Sequence, residues 1–121
     1  MPLPVTIADD STLSRKLIAR SLPEEWKPSI THATNGREAL EAYRAGKADL
    51  LLLDLNMPEM DGYQVMETLR TEGLHAFVIV VSADIQPRAQ ERALALGAMA
   101  FVNKPLDAFQ LNGVLKDFGL L

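Results

Sequence analysis

The chain has 121 residues, 48% hydrophobic and 23% charged, with twelve basic against sixteen acidic side chains and a net charge of −4. That length suits one compact domain and is too short for two, so a single domain over residues 1–121 is expected. The absence of cysteine excludes disulfides, thiolate metal sites and cysteine nucleophiles, and the acidic balance argues against direct nucleic-acid binding.

A repeated pattern runs along the chain: a short apolar run, a turn, a helical spacing, a turn. Leu3–Ala8 opens it, after which Ser11 or Thr12 can cap a helix with Leu13, Leu17, Ile18 and Leu22 on one side, ending at Pro23. A weaker run, Ser29–Ala33, leads to the turn Asn35-Gly36 and a helix spaced by Ala39, Leu40 and Tyr43, with Gly46 as its stop. The third run, Leu50–Leu53, precedes Asp61-Gly62 and a helix of Val65, Met66 and Leu69 closed by Gly73. Phe77–Val81 leads to Pro87, which can occupy the first turn of an alanine-rich helix stopping at Gly97. Met99–Val102 is the fifth run. Asp107 then opens a last helix with Phe109, Val114, Leu115 and Phe118, in which Gly113 costs about 1 kcal/mol relative to alanine.

Leu50–Leu53 and Phe77–Val81 do not alternate apolar with polar, as befits strands covered on both faces. A buried helix segment would also be apolar throughout, but polar or turn-forming groups bound each run closely. Five βα units predict a doubly wound α/β fold, in which ligands bind outside the carboxyl ends of the strands. None of the runs is long enough to span a membrane. The first residues also lack the basic flank and long apolar stretch of a secretory signal, so a cytoplasmic location is expected.

Just past the strands stand Asp9 and Asp10, then Asp54, then Ser82, then Lys104-Pro105. Singly, Asp9, Asp10 and Ser82 read as caps or turn formers, and Lys104 as a solvated loop lysine. Asp54 is harder to explain, because it ends four leucines where an uncompensated charge is costly. Three carboxylates at one sheet edge repel each other unless a cation sits among them. Magnesium suits an oxygen-only set that leaves it several waters. His32 and His75 lie elsewhere in the pattern and give a zinc or copper site no support. A lysine ammonium is a point charge suited to phosphate, and a hydroxyl can donate to a phosphoryl oxygen. Carboxylates, magnesium, lysine and hydroxyl are the parts needed for in-line phosphoryl transfer. The chain has no GxxxxGK loop, so an aspartate nucleophile forming an acyl phosphate is favoured over a nucleotide-dependent reaction.

Ala8-Asp9-Asp10-Ser11, the stretch from Leu53-Asp54-Leu55-Asn56-Met57-Pro58 to Asp61-Gly62, Ser82-Ala83, Gly97-Ala98 and Phe101-Val102-Asn103-Lys104-Pro105 occur in this order, each after its own strand. With this set the chain resembles the receiver domain of two-component response regulators, the CheY-like domain, over nearly its whole length. The resemblance implies a flavodoxin-like (βα)5 three-layer sandwich with a parallel sheet of order 2-1-3-4-5. It implies that Asp54 is the phosphoacceptor and that Asp10 ligates Mg2+, for which Mn2+ can substitute, with Asp9 binding the ion directly or through water. Asn56 would offer its backbone carbonyl to the metal and place its side chain near the path of the hydrolytic water. Lys104 would pair with Asp54 and then with the phosphoryl group, Ser82 would bond a phosphoryl oxygen, and Ala83 would leave space for the donor. A cis bond before Pro105 would aim the lysine inward.

The resemblance also implies a switch, in which movement of Ser82 toward the phosphoryl group opens space for Phe101 to turn inward. Phenylalanine departs from members with tyrosine there, and lacks the hydroxyl contact. Asp84 occupies a position that tunes dephosphorylation. The donor would be a phosphohistidine on a histidine kinase or histidine phosphotransfer protein. The receiver of the signal would be a downstream protein, a fused output domain, or a second copy meeting the fourth helix, fifth strand and fifth helix. Such a domain catalyses its own phosphorylation and dephosphorylation and is not a conventional multiple-turnover enzyme. A haloacid dehalogenase type of phosphatase would need an aspartate where Asn56 stands, and a pseudo-receiver would lack part of the acid set or the lysine. Trp26 reads as a packing cover, Met57 and Met60 as gap fillers or partner contacts, and Arg37, Arg44, Arg70, Arg88 and Arg92 as solvated charges on separate helices.

Overall fold

The apolar runs form five parallel strands, β1 (Pro4–Ala8), β2 (Ser29–Ala33), β3 (Leu50–Leu53), β4 (Phe77–Ser82) and β5 (Ala100–Asn103), in the order β2-β1-β3-β4-β5. A computed structural model describes residues 3–73 and 75–120, so the outer limits of the expected domain, residues 1 and 121, lie outside the described residues. The helices are α1 (Thr12–Ser21), α2 (Gly36–Arg44), α3 (Gly62–Thr71), α4 (Pro87–Ala95) and α5 (Ala108–Asp117), with a short 3-10 turn over Glu24–Trp26. This is the flavodoxin-like arrangement of a central parallel sheet between two helical layers.

Alternation along the strands sorts the core into those two layers. Val5, Ile7, Leu50, Leu52, Ile79 and Val81 face α1 and α5, where Ile18, Leu22, Leu111 and Leu115 meet them. Leu51, Leu53, Val78 and Val80 face α2, α3 and α4, meeting Leu40, Val65, Met66, Leu69, Ala89 and Ala93. All four leucines of β3 are buried, which explains why this central strand shows no alternation in its sequence.

The helix starts follow from local chemistry. Ser11 and Asn35 accept the amide hydrogens of Ser14 and Glu38, while Asp61 and Asp107 form reciprocal capping boxes with Gln64 and Gln110. Pro87 stands at the start of α4.

Several expectations shift in detail. The first strand begins at Pro4 rather than Leu3, β4 reaches Ser82, and β5 lies one residue later than Met99–Val102. In α1 the expected side packs only in part, since Ile18 and Leu22 are buried but Leu13 is 67% and Leu17 42% exposed. The inward stripe instead runs through Ser14, Ile18 and Leu22, four residues apart, with Arg15 and Ser21 beside it. In α5, Leu111 and Leu115 supply the burial, whereas Phe109 is 89% exposed. Trp26 packs against the α1/α5 layer, and Met57 and Met60 pack against the opposite one.

Candidate functional site at the carboxyl edge of the sheet

The strand ladder continues one bond beyond the strands and thereby fixes the backbone of the polar residues that follow. The Asp9 amide donates to Ala33 O at 3.0 Å, the Asp54 amide to Ala8 O at 2.9 Å, and the Lys104 amide to Ser82 O at 2.8 Å. Asp9, Asp54 and Lys104 are therefore placed by three neighbouring strand pairs, not by mobile loop tips. At the start of α3, the Gly62 amide donates to Leu55 O at 2.9 Å, and a Cβ at Gly62 would collide with the carbonyl of Asp54. Only glycine lets α3 approach the residue after β3 this closely.

One oxygen from each of Asp9, Asp10 and Asp54 lies within 4.8 Å of the others. Asp9 and Asp54 are buried, whereas Asp10 is exposed. Lys104 bridges the two buried carboxylates, with Nζ at 2.7 Å from Asp9 Oδ2 and 3.3 Å from Asp54 Oδ2. The shorter contact is to Asp9 and not to Asp54, the partner that the resemblance implies for the lysine. Asp9 Oδ1 also accepts the Ser11 amide at 2.8 Å, and Oδ2 accepts the Ser14 hydroxyl at 2.6 Å. Asp54 Oδ1 accepts the Leu55 amide at 2.8 Å and, weakly, the Asn56 amide at 3.5 Å.

Burial pushes the Asp54 carboxyl above its ordinary range, and the nearby Asp9 charge adds to this, although Lys104 opposes it. For Lys104, burial alone works to lower the pKa. The hydrogen bonds and charges of Asp9 and Asp54 together outweigh it, so the ammonium is held above its ordinary value. Three carboxylates and one ammonium leave two negative charges uncompensated among these four side chains. The donor set is entirely oxygen and one of its carboxylates is open to solvent, which fits a hard divalent cation retaining water.

The remaining predicted residues lie in or just past the carboxyl ends of β3, β4 and β5. Asn56 and Ala83 are exposed. Ser82 is fully buried, and its Oγ accepts the Asp84 amide at 3.1 Å. Asp84 in turn accepts the Gln86 amide at 2.9 Å, while Asn103 Nδ2 donates to the Asp84 carbonyl at 3.1 Å. Phe101 packs, half-buried, on the α2/α3/α4 layer, and the Lys104-Pro105 bond is cis.

Sequence reasoning missed Ser14, Arg15, Asn35 and Glu59. Arg15 Nη1 donates to the Asp9 carbonyl at 2.7 Å. Asn35 Nδ2 donates to Glu59 at 2.7 Å, and the Gly36 amide donates to Met60 O at 3.0 Å, so the start of α2 is tied to the loop after Asp54. Glu59 sits in the left-handed region at φ 65°, a conformation that the two-sided hold helps to impose. The arginines read as free surface charges are partly paired. Arg37 meets Glu41 and Glu59, Arg44 meets Glu72, and Arg92 meets Glu67 and lies 3.9 Å above the centroid of the Tyr63 ring. These ion pairs are exposed and contribute little to stability.

Residues 5–116 match the sequence model of the family described as the response regulator receiver domain. The transcriptional regulatory protein PdtaR of Mycobacterium tuberculosis is 34% identical over 111 residues, a match spanning 92% of this chain and 54% of that protein. The chemotaxis protein CheY of Bacillus subtilis is 32% identical over 112 residues, spanning 93% of this chain and 91% of that protein. A solved complex of CheX with CheY, beryllofluoride and magnesium from Borrelia burgdorferi matches with a TM-score of 0.87 and 30% identity, over 98% of this chain and 90% of that one. The chain thus spans about half the length of PdtaR and most of the Bacillus protein.

Proposed function

The chain belongs to the response regulator receiver domain family of two-component signalling, and from that premise we propose that Asp54 accepts a phosphoryl group from a phosphohistidine. The donor is a histidine kinase or histidine phosphotransfer protein. The observation that carries this reading is the Lys104 ammonium held between buried Asp9 and buried Asp54, with Asp10 beside them.

Asp54 attacks the phosphorus with an oxygen of its carboxylate. An O–P bond forms, the N–P bond to the donor imidazole breaks, and its electron pair stays on that nitrogen, which takes a proton from solvent. Lys104 neutralises charge on the transferring group and can follow it, because its ammonium already lies within reach of both acids. The buried Ser82 hydroxyl donates to a phosphoryl oxygen, and the small exposed Ala83 leaves the approach open. A divalent cation, Mg2+ or in its place Mn2+, held by Asp10, Asp54, the Asn56 carbonyl and Asp9, would neutralise charge on the phosphoryl oxygens. Asn56 and Asp84 flank the approach of water and set the rate of autodephosphorylation.

Engagement of Ser82 by the phosphoryl group takes its hydroxyl from the Asp84 amide and lets Phe101 move further inward. That change alters the surface of α4, β5 and α5, where Phe109 stands exposed for a downstream protein, a fused output domain or a second copy. The donor itself docks on α1. Exposed Leu13 and Leu17 border a hollow of about 380 Å3 that also reaches Lys104 and Pro105, so an apolar helix face seated there brings its phosphohistidine to the site. The unit acts as a single domain in the cytoplasm. Among the described residues, no helix is long and apolar enough to cross a membrane.

Incubation with Mg2+ and acetyl phosphate, followed by intact-mass measurement, tests the chemistry. One added phosphoryl group, absent after chelation, is expected. No adduct with acetyl phosphate, with beryllofluoride or with a histidine donor would make this a binding domain that does not use phosphorylation.

A further inference from the structure

Asp9 is wholly buried, and both of its oxygens already have donors. Oδ1 accepts from the Ser11 amide, while Oδ2 accepts from both Ser14 Oγ at 2.6 Å and Lys104 Nζ at 2.7 Å. A carboxylate oxygen presents two lone pairs. Oδ2 is the oxygen that shares Lys104 with Asp54, and both of its lone pairs are in use. Lys104 has a role there in the proposed chemistry. Ser14 has none so far, yet it sits on the inward stripe of α1, where alanine would be the better helix former.

We propose that Ser14 is a positioning residue that sets the strength of cation binding. Its hydroxyl holds the Asp9 carboxylate against Lys104 and occupies the second lone pair of Oδ2, which closes that oxygen to a cation. Asp9 is left with one lone pair, on Oδ1, beside Asp10 and Asp54, which makes the site weaker and more readily emptied than three free carboxylates would be. The inference rests on the reading of Asp9, Asp10 and Asp54 as a cation site.

The full chain is titrated with Mn2+ and the free ion is read from its electron paramagnetic resonance signal. Ser14→Ala frees the lone pair and is expected to tighten Mn2+ binding about tenfold, the scale of a hydrogen bond to a charged group. Ser11→Ala is the structural control. It removes the cap of α1 while leaving the backbone amide on Asp9, so it should lower the urea midpoint without moving the Mn2+ affinity. Unchanged or weaker Mn2+ binding by Ser14→Ala overturns the proposal, as does an equal gain in Ser11→Ala. If the unmodified chain binds no Mn2+ while Asp54 still takes a phosphoryl group, the cation reading fails, and the role of Ser14 fails with it.

Discussion

The two ends of the sheet differ in a way that separates a site from a hollow. At the amino end of the strands, Leu3, Trp26, His75, Phe77 and Leu120 border a cavity of about 600 Å3. At the carboxyl end the hollow beside Lys104 is smaller, about 380 Å3. The larger space collects apolar side chains and few charges, whereas the smaller one adjoins two buried carboxylates, an exposed one and a shared ammonium. The cause lies in the chain direction. Each helix runs back against its strand, so helix starts, with their unpaired amides and positive partial charge, gather at the carboxyl edge. Helix ends gather at the other, where Gly46, Gly73, Gly97 and Gly119 take positive φ. Convergent charge, rather than volume, sets the carboxyl end apart.

The comparison is broken most directly by Asp54→Ala. Phosphoryl incorporation from acetyl phosphate should vanish, whereas Trp26→Phe at the opposite end should leave the rate unchanged. Equal losses in an intact-mass time course would erase the distinction between the two ends. Lys104→Ala should slow incorporation by on the order of 10²-fold, as loss of one charge-stabilising donor does. It should also destabilise the chain, because Asp9 stays buried without its ammonium.

Binding of Mg2+ should stabilise the folded chain by about 2.7 kcal/mol at a concentration 100 times its Kd. The melting temperature is expected to rise accordingly, to fall back with chelator, and not to respond in Asp10→Asn. A smaller effect concerns protons. The folded-state pKa of Asp54 is raised by burial, so the native chain holds this proton more tightly than the unfolded chain. Stability is therefore lost as pH rises from the ordinary carboxylate range through the raised value. Without metal, Asp54→Asn should be more stable than the parent at neutral pH. The two should converge at acid pH, as measured by urea unfolding. The smallest stability effect is expected at Leu13 and Leu17. Changing both to serine should alter stability by about 0.5 kcal/mol or less. It should still weaken transfer from a histidine donor while leaving acetyl phosphate untouched.

The carboxyl edge was also the more legible end in sequence. Leu50–Leu53 followed by Asp54 exposes a conflict between burial and charge that has few structural solutions, and the ladder bond from Asp54 to Ala8 is one of them. Strand positions and helix starts were readable for the same reason, since runs and caps are local chemistry. The face of α1 was not. Its leucines suggested one inward side, but the inward stripe contains Ser14 and Arg15, which donate to the Asp9 carboxylate and the Asp9 carbonyl just past β1. A pattern that counts only apolar residues assigns such a stripe to solvent. The available signal was Ser14 standing four residues before Ile18 and eight before Leu22. The bond of Lys104 to Asp9 and the hold of Asn35 on Glu59 join residues 95 and 24 positions apart and follow from which strand ends adjoin in the folded sheet, which no local pattern encodes.

Of the three clustered acids, Asp54 is the one proposed to receive the phosphoryl group. The decisive measurement is borohydride reduction of the chain after treatment with Mg2+ and acetyl phosphate, followed by peptide mapping by tandem mass spectrometry. An acyl phosphate is reduced to the alcohol, so homoserine is expected at position 54 alone. Homoserine at Asp9 or Asp10, or no reduced residue in a chain shown by its mass to be phosphorylated, would contradict it.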